Sequence, residues 1–237
     1  MQQRTIGLLG GIGWASTAEY YRIINERVAA REGDGHSARI VLQSMDQFDF
    51  TSRAASADPQ EIVQFMAEQV SRLKAAGADF FLICANGAHR FVPALLPLID
   101  LPFLNLVDPT AAQVQASGIR KVGLLGVKQT MAGQFYHERL ALHGIEVVTP
   151  SAADQEIIHE IIYRELVQNR ICDASRRVFV DIIARLALVG AGGCILGCTE
   201  IPLLIAQGDV DIPVFDTTEI HCAAAVAHAF DGPARFR

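Results

Sequence analysis

The chain repeats itself, and this limits the folds open to it more than any other feature. TIGLLGG at Thr5–Gly11 returns as KVGLLGV at Lys121–Val127. RLKAAGADFFLICA, beginning at Arg72, returns as RLALVGAGGCILGC, beginning at Arg185. LPFLNL from Leu101 returns as IPVFDT from Ile212, and Gly7 to Cys84 is spaced almost as Gly123 to Cys198. Each half reads as strands alternating with helices, which gives a parallel sheet. The expected fold is α/β, with two pseudo-symmetric lobes, each a parallel sheet flanked by helices, and an active site in the cleft between them. The helix HCAAAVAHAF after the last strand suggests that the chain returns to complete its first half. The expected lobes are residues 1–107 plus 211–237 and residues 108–210. Ser16 and Glu19 predict a capping box for the first helix, with Tyr20, Ile23, Ile24 and Val28 on one face. Asp216 and Glu219 predict a similar start for the last helix.

Composition narrows the function. A net charge of -6 argues against a nucleic-acid binder, which needs a concentrated basic surface. The longest nearly apolar stretch, Leu186–Thr199, is glycine-rich and too short to span a bilayer, so no membrane role is expected. The opening IGLLGGIGWA reads as a first strand rather than an export signal. A cytoplasmic location follows, with the five cysteines as free thiols. No C-x-x-C pair is present, so neither zinc nor a disulfide framework is expected.

Cys84 and Cys198 stand at matched strand ends of the repeat, where ligands of open parallel sheets bind. Asn86 and Thr199 are expected to cap a helix directly after each. Unpaired N–H groups at such a helix start would hold carboxylates and depress the thiol pKa. Facing one another across the cleft, one thiol could take a proton from carbon while the other delivers one to the opposite face. The same N–H groups would stabilise the developing enolate. A single strand-end cysteine would be read as a small buried hydrophobe, the reading given to Cys172 and Cys194. Two at matched positions point to function.

The motifs C-A-N-G-A-H at Cys84–His89, G-C-T-E-I-P at Gly197–Pro202 and G-L-L-G-G-I-G-W-A-S-T at Gly7–Thr17 resemble the aspartate/glutamate racemase family, in its aspartate racemase-like branch. The resemblance extends through H-S-A-R-I at His36–Ile40, T-M near Thr130, I-I-Y-R-E-L at Ile161–Leu166 and P-V-F-D-T at Pro213–Thr217. It implies a cofactor-independent racemase or epimerase of aspartate or glutamate, a homodimer, with Cys84 and Cys198 as the acid–base pair. It further implies that Ala85, Asn86, Gly87 and Thr199 hold the substrate's carboxylates and that Ile12 lines the cleft. The chain departs from the pattern at Gly87, where the family usually has threonine, and at Ala85, where many members have threonine or asparagine. Some members carry a lysine in the segment matching Val167–Arg170, where only Arg170 supplies a cation. Arg53 is a second candidate for the distal carboxylate. A related dicarboxylate isomerase, or an acidic-ligand binding protein that has lost its chemistry, is the alternative.

Other motifs are weaker. Gly10-Gly11-Ile12-Gly13 suggests a dinucleotide turn, but Ser16 stands where the fingerprint needs glycine or alanine, leaving a tight strand–helix turn. His89 either orients the substrate or satisfies local backbone, with the second favoured. Glu200 either handles the Cys198 proton or sits favourably at a helix start. The remaining histidines show no metal-ligand spacing, and His159 is expected to face solvent.

Overall fold

Alternation of apolar side chains decides how the first sheet is covered. The computed structural model describes residues 3–231 and divides the chain into unit 1, up to Leu106 and again from His221, and unit 2, Val107–Ile220. Unit 1 runs β1 (Ile6–Gly10), α1 (Trp14–Glu32), β2 (Ile40–Ser44), α2 (Gln47–Ala54), α3 (Pro59–Ala75), β3 (Phe80–Ile83) and α4 (Val92–Leu95). The strands are parallel in the order β2-β1-β3, and Phe103 adds a parallel bridge to Phe81. Leu9, Phe81 and Ile83 pack with the α3 face of Ile62, Val63, Met66, Val70 and Leu73. Ile6, Leu8, Phe80, Leu82 and Cys84 pack on the other side with Tyr20, Ile23, Ile24 and Val28 of α1. Period-2 alternation thus sends the Cys84 side chain to the α1 side. The buried face of α1 is the expected one, but its start is not. α1 begins at Trp14 with Gly13 as N-cap, so Ser16 falls inside the first turn.

Unit 2 runs α5 (Val107–Ala116), β4 (Lys121–Gly126), α6 (Lys128–Ala132), α7 (Gln134–Leu142), β5 (Glu146–Val148), α8 (Ala152–Arg164), α9 (Asp173–Leu188), β6 (Gly193–Gly197) and β7 (Val214–Asp216). Its parallel sheet has the order β5-β4-β6-β7, so β1, β2 and β3 correspond to β4, β5 and β6. The third echo is also structural. Phe81 N–H donates to Pro102 O at 2.8 Å, and Cys194 N–H donates to Pro213 O at 2.8 Å.

This pairing moves the second crossing. The sequence reading put residues 211–237 with the first half, but β7 hydrogen-bonds to β6 and stays in unit 2, so the chain crosses at Ile220–His221. The first crossing lies at Leu106–Val107, one residue from its expected place. Helix α10 (Thr217–Asp231) therefore starts in unit 2 and continues in unit 1. Asp216 starts it as expected, its Oδ1 accepting from Thr218 and Glu219 N–H at 2.9 and 3.2 Å. Cys222, Ala225, Val226 and Ala229 fill the α1 side of the first sheet.

His221 ties α10 into unit 1. Leu104 O can only accept, so His221 Nε2–H donates to it at 3.0 Å, and Nδ1 accepts from Tyr20 Oη–H at 3.0 Å. His221 is fully buried, and burial, with the nearby His89, depresses its pKa to about 3. A base with a depressed native pKa binds fewer protons than it does unfolded, so its stability contribution is full above about pH 6.5 and lost as pH falls toward 3. Urea midpoints should record a loss approaching about 1.4 kcal/mol per pH unit through that window. His221→Gln should remove this component of the slope; an unchanged slope would refute the assignment.

Candidate active site

Both cysteines sit where a buried strand meets a short turn. Cys84 continues β3, with its N–H donating to Leu9 O at 3.0 Å and only 1% of its surface exposed. The expected helix after it is a 3-10 segment, Gly87–Phe91, followed by the single turn of α4 and a second 3-10 segment, Leu96–Leu98, and Asn86 makes no side-chain cap bond to it. Pro93, in the first turn of α4, explains the break, because a helix continuing from Gly87 would hold a proline in its interior. Ala85 and Gly87 are half-buried and Asn86 is buried.

His89 holds this turn in shape. Its Nδ1–H donates to Ala85 O at 2.9 Å, and its Nε2 accepts from Leu106 N–H at 3.4 Å. The ring is therefore neutral and protonated on Nδ1, and it serves the backbone that carries the Ala85–Gly87 amides. Ile12, in the loop after β1, is half-buried against the α3 side of the core.

In unit 2, Cys198 follows β6, and again only a 3-10 turn, Ile201–Leu203, comes next. Thr199 does not cap it; Glu200 occupies the N-cap position. Close packing brings the strand ends together here. A Cβ on Gly197 would lie 2.8 Å from Leu125 O and 3.3 Å from the Thr130 methyl. The Cys198 thiol donates to Glu200 Oε2 at 2.8 Å. The buried Tyr136 hydroxyl bonds with Thr217 and lies close enough to Cys198 to feel its charge.

The thiols are not acidified. Burial pushes the Cys84 thiol far up. Cys198 keeps some surface exposure, but its sulfur is crowded by protein atoms. Burial first, then the charge and hydrogen bond of Glu200, raise it well above the usual thiol range, while the N–H groups of Glu200 and Thr199 pull the other way. Both cysteines therefore rest protonated at neutral pH. The expected acidification assumed regular helix starts; the stretch after Cys84 opens in 3-10 geometry and that after Cys198 is a single 3-10 turn, and neither offsets the lost hydration.

The Cys198–Glu200 contact gives a direct test. Replacing Glu200 by glutamine should bring the Cys198 thiol to lower pH, because the like charge is gone while the backbone N–H groups stay. Alkylation of Cys198, followed by mass spectrometry across pH, should show faster reaction near neutrality, roughly tenfold for each pH unit of displacement. An unchanged profile would remove Glu200 from the thiol's electrostatics.

Arg53 and Arg170, the two candidate cations, each have partners close by in sequence. Arg53 Nη1 donates to Asp49 O and Oδ1 at 2.9 and 3.0 Å, and its guanidinium lies over the Phe65 ring at 4.4 Å. Arg170 is exposed and bonds to Arg164 O. Cys194 is a buried core residue as expected, but Cys172 is exposed at the N-cap of α9. His159 is only partly exposed and accepts from Lys128 N–H at 3.2 Å. Sequence reasoning passed over Tyr136 and named Thr217 and the fully buried Thr130 only within resemblance motifs, without giving either a role. Among the described residues, the Thr130 hydroxyl and that of Thr218 have no hydrogen-bond partner. Thr130 carried one signal, its place just after the second copy of the glycine-ended strand.

Comparison with known proteins agrees with this architecture. A Yersinia pestis protein provisionally described as an Asp/Glu racemase has a crystal structure that superposes with a TM-score of 0.90 at 42% identity, covering 95% of this chain and 99% of that one. An aspartate racemase homologue from Pyrococcus horikoshii gives a TM-score of 0.85 at 29% identity, again covering 95% and 99%. The broad specificity amino-acid racemase RacX of Bacillus subtilis is 21% identical over 218 residues, 90% of this chain and 92% of RacX. The family model for Asp/Glu/hydantoin racemases matches residues 9–225, a span that includes both cysteine turns, and the chain belongs to that family.

Proposed function

We propose that this protein racemises or epimerises an α-amino acid without a cofactor, with Cys84 and Cys198 as the acid–base pair at Cα. The observation that carries this reading is the equivalence of the two cysteines. Each directly follows the corresponding strand of a repeated parallel sheet, and each is followed by a short turn. One cysteine, as thiolate, removes the Cα proton; the other, as thiol, protonates the opposite face, and the roles exchange for the other enantiomer. The amides of Ala85, Asn86, Gly87 and Thr199 take the α-carboxylate and the enolate charge that grows on it. The Thr130 hydroxyl, buried beside Gly197 and without a partner, supplies a further hydrogen bond to substrate. Since both thiols rest protonated, turnover should rise into the alkaline range as the first ionises. The name of RacX, a broad-specificity racemase, leaves the side chain of the substrate open.

The test is exchange in heavy water. Reduced protein incubated with L- or D-amino acids should place deuterium at Cα and lose optical activity. A protein that only binds would be stabilised by the ligand and show no exchange, and that result would reject the racemase reading.

A further inference from the structure

The strand ends of both units carry very little positive charge, and this bears on the substrate. The α-carboxylate can rest on backbone amides, but a second carboxylate taken out of water needs a cation or its own set of donors. Consider the loops that leave the strand carboxyl ends, together with the first residue of the element that follows. Among the described residues they contain one lysine or arginine, Lys128, and Lys128 is ion-paired with Glu156. Arg53, slightly further along α2, is held by Asp49 and Phe65. Arg90, after Cys84, is exposed and lies over the Phe91 ring at 4.6 Å. Arg170 is bonded to Arg164 O.

The acids of these loops are also committed. Asp46 caps α2 through Phe48 and Asp49 N–H, Asp216 caps α10, and Glu200 accepts from the Cys198 thiol. A cationic side chain therefore meets no free carboxylate in these positions, and an anionic one meets the Glu200 charge. The uncharged polar side chains here are partnered too, Asn86 and Asn105 by interactions of their own and Ser151 by Asp154, so that beside backbone amides and threonine hydroxyls the loops offer mainly apolar surface. Ile12, Ala85 and Val127 are all half-buried.

We infer that the substrate of this enzyme carries an uncharged side chain, in place of the aspartate or glutamate expected from the sequence. The inference rests on the racemase reading and narrows it. Arg53 becomes a brace of α2 rather than a carboxylate clamp.

The experiment measures kcat/KM for racemisation of alanine, serine, methionine and leucine against aspartate, glutamate and lysine, for the wild type and Arg53→Ala. The thermal shift given by each amino acid is recorded alongside. The expected result is at least about tenfold higher kcat/KM for the best uncharged amino acid than for either acid or lysine, with no selective effect of Arg53→Ala. Equal or better turnover of an acid or of lysine overturns the inference and leaves the racemase reading intact. So does a loss confined to the acids in Arg53→Ala. If nothing is turned over, the thermal shifts decide. Stabilisation by uncharged amino acids alone upholds the inference while the racemase reading fails. Stabilisation by acids, or by none of the panel, overturns it.

Discussion

Replacing either Cys84 or Cys198 by alanine is expected to lower racemisation by roughly 10²- to 10⁴-fold, the usual worth of a positioned acid or base. The double variant should be little worse than either single one, because the groups act as a unit. The informative result is asymmetry. A variant that keeps one thiol keeps the base for one enantiomer only. It should still exchange the Cα proton of that enantiomer with solvent, returning deuterium to the same face without inversion. The other enantiomer should be silent, and the other single variant should show the mirror pattern. Proton NMR in heavy water with each pure enantiomer reads this directly. Exchange of both enantiomers by one single variant would exclude the two-base assignment. Stability must be compared in parallel, since Cys84 is a core residue on the α1 side of its sheet and its truncation costs some packing.

The repeat made most of the fold legible. Three pairs of matching segments fall on β1 and β4, on β3 and β6, and on Phe103 and β7, and each pair occupies the same sheet position. Apolar strands buried on both faces need parallel neighbours and covering helices, so the layers followed. The second boundary did not. The helix HCAAAVAHAF packs in unit 1, but the strand before it pairs in unit 2, and hydropathy alone does not distinguish a helix from the strand that leads into it. The third echo carried the answer, since a strand matched to Leu101–Leu106 must belong to its own half's sheet.

The site was legible as a set of positions and less so as electrostatics. Cys84, Cys198, Glu200 and His89 were singled out from spacing, and the structure gives Glu200 to the thiol and His89 to the backbone. The direction of the thiol shift was misread because Asn86 and Thr199 resemble helix caps. Pro93 was the available warning for the first turn, since a regular helix running from Gly87 would hold it in its interior; Pro202 lies in the first turn of its own segment, where proline is tolerated, and gave no such signal. Arg53 could not be placed from sequence, because its pairing with Asp49 depends on both lying on one helix, one turn apart, where the sequence reading had a loop.

Gly11→Ala is expected to be the most destabilising small substitution near the cysteine turns, costing roughly 3–5 kcal/mol. Gly11 has φ +84°, and a Cβ there would lie 2.0 Å from Met45 O and 2.3 Å from Met45 N. Those atoms are backbone, so no rotamer relieves the contact. The end of β2 must move, which breaks the bond from Met45 N–H to Gly10 O at 2.9 Å. The bond from Gly11 N–H to Thr17 Oγ1, also 2.9 Å, holds the loop to α1 and would go with it. Gly77→Ala is the control. Gly77 has φ +92°, but a Cβ there meets nothing within 4 Å, so it should cost only the left-handed strain of about 1–2 kcal/mol. The difference between their urea midpoints isolates the close approach of β1 to β2. Equal losses would mean that the loop relaxes freely and that Gly11 is needed for its φ alone. A dinucleotide turn makes a different prediction, since its glycine serves a ligand and its loss would be felt as binding rather than stability. With the larger loss, the glycine run after β1 is a packing device that fixes the loop carrying Ile12.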